Sequence, residues 1–113
     1  MSDSMNLLRG TLDALILKAL SAGEMHGYGI ADWVRRVTDE VLRIEDGALY
    51  TSLHRMEDRG WLRADWGISE RGRRAKFYAL TREGRRRLEE EERDWHRYAE
   101  AVGKVFASAR EEP

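Results

Sequence analysis

Residues 46–84 read DGALYTSLHRMEDRGWLRADWGISERGRRAKFYALTREG. In this stretch Leu49, Leu53 and Met56 recur at helical spacing and predict one apolar helix face. Gly60 lies just past that run, where a residue without a Cβ most easily forms a left-handed C-terminal cap. Trp61, Leu62 and Trp66 then read as a strand, and Phe77, Tyr78 and Leu80 as its partner. The connection GISERGRRAK, residues 67–76, holds two glycines to turn the chain and places Arg71, Arg73, Arg74 and Lys76 at the tip. A helix followed directly by a basic hairpin is the layout of a winged helix-turn-helix. The helix can enter a major groove while the hairpin reaches the flanking phosphates.

Working outward, residues 8–20 keep helical spacing through Leu8, Leu12, Leu15, Ile16, Ala19 and Leu20, with Gly23 ending the segment and the first few residues frayed. Nearly every position from Ala14 to Leu17 is apolar, so this helix should be covered on two sides: by its own domain and by a partner chain. A second helix is expected from His26 to Thr38, burying Ile30, Trp33, Val34 and Val37. Gly27 and Gly29 flank Tyr28 at its start and suggest a close approach. They lack the full spacing of a nucleotide-binding loop. The link 40–46 is longer than a minimal helix-turn-helix turn, as winged variants usually have.

The last predicted helix spans 81–109, opened by Thr81 as N-cap. Leu88, Trp95, Tyr98 or Ala99, Val102, Val105 or Phe106, and Ala109 fall on heptad a and d sites, apart from a polar position at 91–92. The domain is too small to cover so long a stripe, which predicts dimerisation through this helix against the partner's first helix. The interface expected is Leu12, Ile16, Leu88, Trp95, Tyr98, Val102, Val105 and Phe106. The fold class is therefore mainly α with a small β-hairpin. It comprises a winged helix-turn-helix over 1–80 and a C-terminal dimerisation helix over 81–113.

Charge distribution says more than net charge, which is −1 across the 113 residues. From 70 to 87 there are eight basic residues against Glu70 and Glu83, giving +6, whereas 89 to 94 carries five acids against Arg93, giving −4. The basic patch is what a polyanion would meet. At a hairpin tip the cations fit phosphate contact better than a merely soluble turn. Arg55, expected to face outward with His54, is the candidate for a guanine edge, which its planar fork matches. For His54, phosphate contact and plain solvent exposure stay open. So do core and groove positions for Tyr50.

Other chemistry finds little support. The chain has no cysteine, hence no disulfide framework or thiolate metal site. His26, His54 and His96 are far apart and lack ligand partners at metal spacing, so neither metal nor cofactor is expected. Ser52 has no nucleophile-elbow context, and Glu89 to Glu92 read as a solvated face, so no enzyme is expected. Lys18 interrupts the most hydrophobic segment, and the N-terminus has no signal core, which points to a soluble cytoplasmic protein without a membrane partner. The rival reading is a dimeric winged-helix protein-interaction module that does not bind DNA. Such a module has no need of four cations on the hairpin.

At GALYTSLHRMEDRGWL (47–62) and RRAKFYALTREG (73–84), preceded by GTLDALILKAL (10–20) and HGYGI (26–30), the sequence resembles the PadR family of transcriptional regulators. The single short C-terminal helix is similar to the compact branch of that family. The resemblance implies a winged-helix dimer on operator DNA, usually a repressor. It places Tyr28, Gly47, Tyr50, Thr51, His54 and Arg55 at the DNA face, with the hairpin matching through Arg73, Arg74, Lys76 and Tyr78. Two positions depart from the family pattern. Glu45-Asp46 stands where many members have Ser-Pro, and Thr51 where many have proline. Acids there would repel a phosphate track. In some related regulators a tryptophan equivalent to Trp95 lines a pore between subunits that takes flat aromatic ligands. Trp95 and Tyr98 are therefore either interface core or an effector site, with the acidic run 89–92 alongside to attract cations.

Overall fold

The computed structural model describes residues 2–110, with side chains described from residue 11 onward. The order is α1 (Ser2–Ala19), a 3₁₀ turn (Leu20–Ala22), β1 (Met25–His26), α2 (Gly27–Val37), α3 (Asp46–Asp58), β2 (Leu62–Ile68), β3 (Arg74–Leu80) and α4 (Arg82–Ala107). The helix expected from Leu8 starts six residues earlier, at Ser2. The side chain of Leu8 lies outside those described.

The core forms where the apolar stripes of three helices meet the sheet. Ile16, Leu17 and Leu20 from the first segment meet Ile30 from α2, and Leu49, Leu53 and Met56 from α3. Leu62, Tyr78 and Leu80 close it from the strands, and Leu88 from α4. The three apolar positions expected on α3 are thus all buried. On α2, Ile30 and Val34 are buried and Trp33 packs against the core, but Val37 is 56% exposed. Val37 is the final residue of its helix and passes beyond the edge of the core.

Two junctions set the angle of the hairpin. Trp61 N–H donates to Met56 O at 2.9 Å and Gly60 N–H to Glu57 O at 3.0 Å, the paired bonds of a Schellman cap, with Gly60 at φ +79°. At the far end of the hairpin the Thr81 hydroxyl donates to Gly60 O (2.6 Å) and accepts from Gly84 N–H (3.0 Å), so one side chain caps α4 and ties it to the end of α3. Gly84 is required by approach, because a Cβ there would overlap the Trp61 carbonyl oxygen.

The sheet has three antiparallel strands in the order β1-β3-β2. The two-residue β1, absent from the sequence expectation, pairs Met25 with Tyr78 and His26 with Phe77. Across the hairpin Leu62 faces Leu80 and Ala64 faces Tyr78. Two residues on, Trp66 faces Lys76, and beyond it Ile68 faces Arg74. These pairs share one face of the sheet. That face is buried near α4 and becomes open as the hairpin projects beyond the core, where exposed Trp66 and Ile68 stand beside Lys76 and Arg74.

α4 departs most from a packed arrangement. Its described buried positions are Gly84 and Leu88, near its start. Trp95, Tyr98, Val105 and Phe106 are exposed, Phe106 to 86%, and Val102 is half-buried. The Cα radius of gyration is 16.5 Å, against about 13 Å for a compact chain of this length. Ile16 and Leu88, expected at a dimer interface, are instead enclosed in the chain's own core, and Leu12 packs against it half-buried. Heptad spacing puts residues on a stripe without saying what covers each of them.

Candidate nucleic-acid interface

The open end of the hairpin, the start of α2 and the outer face of α3 enclose a cleft of about 710 Å³. α3 contributes Tyr50 and His54, and α2 and its cap contribute His26, Gly27 and Tyr28. The hairpin adds Trp66, Arg71, Arg73, Arg74 and Lys76. The tip is tighter than the ten-residue connection expected. Strands run to Ile68 and resume at Arg74, Gly72 N–H donates to Ser69 O (2.8 Å), and Gly72 takes φ +74°. Ser69 N–H also donates to Arg73 O (2.8 Å), so within residues 69–73 that pair closes a three-residue loop, Glu70, Arg71 and Gly72, ending in the left-handed glycine.

The four hairpin cations therefore occupy different surroundings. Arg71 and Arg73 sit at the tip and are exposed. The Arg71 guanidinium lies 5.7 Å from the Tyr28 ring centroid, joining the tip to α2. Arg74 is on β3 rather than at the tip and stacks over Trp66 at 4.5 Å. Lys76, also on the strand, is half-buried, its Nζ 3.2 Å from Glu57 Oε1. The hydrogen bond to Glu57 holds the Lys76 ammonium above its usual pKa. Tyr78, expected at the DNA face, is 3% exposed and packs in the core, with only an edge on the cleft floor. Burial pushes its hydroxyl above the ordinary tyrosine value.

Tyr28 is 61% exposed and half-exposed Tyr50 leans on Gly27, where a Cβ would overlap its ring and hydroxyl. The close approach suggested by the HGYGI stretch is thus made by α3. His26 bridges two elements. Its Nδ1 accepts from Gly29 N–H (3.0 Å) as the N-cap of α2, and Nε2 faces Glu70 Oε1 on the hairpin tip at 3.5 Å. Gly47, Thr51 and His54 lie on the exposed side of α3. Glu45 and Asp46 occupy the N-cap and first turn of α3, where negative charge favours the helix dipole.

Arg55 does not face outward. Its Nη2 donates to both carboxylate oxygens of Asp13 on α1, at 2.6 and 2.7 Å. Neither this pair nor the role of Trp66 in the cleft followed from spacing. A lone acid at position 13, three and four residues before Ile16 and Leu17, was the available signal, since an acid on a core face requires a cationic partner.

A helix with an open polar face beside a cation-bearing hairpin defines a winged helix-turn-helix protein. The PadR-like family of transcriptional regulators matches residues 16–90, and the chain belongs to that family. A transcriptional regulator from Clostridium thermocellum superposes with a TM-score of 0.80 at 28% identity, covering 91% of this chain and 99% of that one. A PadR family transcriptional regulator from Eggerthella lenta gives 0.73 at 32% identity, covering 96% and 92%. An uncharacterized protein from a transposon of Streptomyces fradiae is 38% identical over 95 residues. That is 84% of this chain but only 25% of that longer protein.

Proposed function

We propose that the chain acts as a homodimer that binds an inverted-repeat operator and represses transcription. The observation that carries this reading is the cleft, where exposed cations at the hairpin tip flank the open face of α3. In this reading α3 is the recognition helix, presenting Tyr50, Thr51 and His54 to base edges, with Gly47 at its start. Arg71, Arg73 and Arg74 meet phosphates, and Tyr28 supports the tip from α2. Residues 1–80 form the DNA-binding unit, and α4 carries the dimer contact through Trp95, Tyr98, Val102, Val105 and Phe106.

The dimer contact is supported by the unpartnered apolar side of α4. Between α1 and α4 runs a largely apolar groove of about 1340 Å³, lined by Ala14, Leu15, Trp95, Tyr98 and Ala101 among others. Trp95 and Tyr98, with ring centroids 6.2 Å apart, offer a surface on which a flat aromatic effector could stack. Glu91, Glu92 and Asp94 on the rim favour a cationic one.

Fluorescence anisotropy with a labelled random duplex, titrated over a range of salt, tests the reading. A linear fall of log affinity with log salt is expected, shallower in Arg71→Ala and Arg73→Ala. Absence of binding at low salt would contradict it.

A further inference from the structure

We propose that the Asp13–Arg55 pair is the positioning link that holds α3 at the rotation about its axis needed to read base edges. It rests on the reading of α3 as the recognition helix. Asp13 is the one charged side chain among the buried residues of the described chain. It takes two short bonds from a single Arg55 nitrogen across 42 positions of sequence. Charge-assisted bonds of this kind are directional. An apolar pair would join two helices at less desolvation cost, so what the ion pair adds is geometry.

The placement shows which geometry. The apolar anchors of α3, Leu49, Leu53 and Met56, are non-directional and tolerate rolling of the helix, and its other directional tethers, Glu57 to Lys76 and the cap at Gly60, act at its last turn and on the hairpin side rather than toward α1. Arg55 lies between this core face and the open face of Thr51 and His54. A tether there opposes rotation that would turn Tyr50, Thr51 and His54 out of register. Asp13 also sits on α1, whose other side lines the groove with α4 through Ala14, Leu15 and Lys18.

The test is a double-mutant cycle on DNA affinity. Wild type first recovers its preferred sequence from a random duplex pool. Asp13→Asn, Arg55→Gln and the double variant are then titrated on that duplex and on a random one. Each single change should weaken specific binding about tenfold or more. Random-duplex affinity should stay within about twofold, with its salt slope unchanged because no phosphate contact is lost. The double variant should bind no worse than the weaker single. If a single variant fails to fold, the exchanged pair Asp13→Arg with Arg55→Asp replaces it and should recover part of the specific affinity. Weakening by Arg55→Gln without weakening by Asp13→Asn would mean that Arg55 reads a base directly, and would overturn the proposal. So would singles that match wild type, equal losses on both duplexes, or an exchanged pair without recovery. If wild type recovers no sequence, the recognition-helix reading fails first, and the link has nothing to position.

Discussion

Arg73 and Lys76 carry the same charge three residues apart, yet their surroundings assign them different work. Arg73 is exposed at the tip with no side-chain ion pair among the described residues, whereas Lys76 is held by Glu57. Arg73→Ala should weaken all duplexes alike and reduce the salt slope by about one unit. Lys76→Ala should change that slope less, and an equal change in both would show that Lys76 leaves Glu57 to meet DNA. Lys76 and Tyr78 also predict a pH dependence. Both have folded pKa values raised above their ordinary ones, by the hydrogen bond to Glu57 and by burial respectively. Their contribution is fully present below about pH 10 and is lost as pH rises through the folded values. Melting temperature should fall above about pH 10, and less steeply in Tyr78→Phe. An unchanged alkaline slope in that variant would remove Tyr78 as a cause. At this scale the sequence was only partly legible. Spacing placed Arg55 outward because helical periodicity cannot see a carboxylate 42 residues away.

Among elements, α3 and its connections are the most legible, because each signal is local. Apolar spacing marked the buried face, and Gly60 marked the end. The two-residue β1 has too little length for any periodicity and emerges only by pairing with β3. Two glycines separate conformation from contact. At Gly60 a Cβ meets nothing, so Gly60→Ala should cost about 1–2 kcal/mol from the left-handed backbone alone. At Gly84 the backbone conformation is ordinary for a helix, but a Cβ overlaps the Trp61 carbonyl. Gly84→Ala should therefore lower stability more than Gly60→Ala in urea unfolding. The reverse order would mean that the α3–α4 junction is looser than it looks.

At the scale of the molecule, the extents of 65 × 29 × 26 Å describe a small winged domain with a protruding helix. The sequence showed that α4 carries more apolar surface than one domain can cover. It could not assign Ile16 and Leu88 to the chain's own core, because that depends on how the stripes meet in three dimensions. Burying Trp95, Tyr98, Val105 and Phe106 in a dimer would contribute about 1.5–3 kcal/mol per fully covered side chain. Truncation after Leu88 should therefore give a monomer by sedimentation with weakened DNA binding. An unchanged dimer would move the interface elsewhere. In the proposed function two copies of this chain read one DNA site together. Selection of bound sequences from a random duplex pool tests it most directly. Two-fold symmetry of the dimer predicts an inverted repeat whose half-site centres lie one helical turn, about 34–36 Å, apart. Recovery of a single asymmetric half-site, or of no enriched sequence, would contradict it.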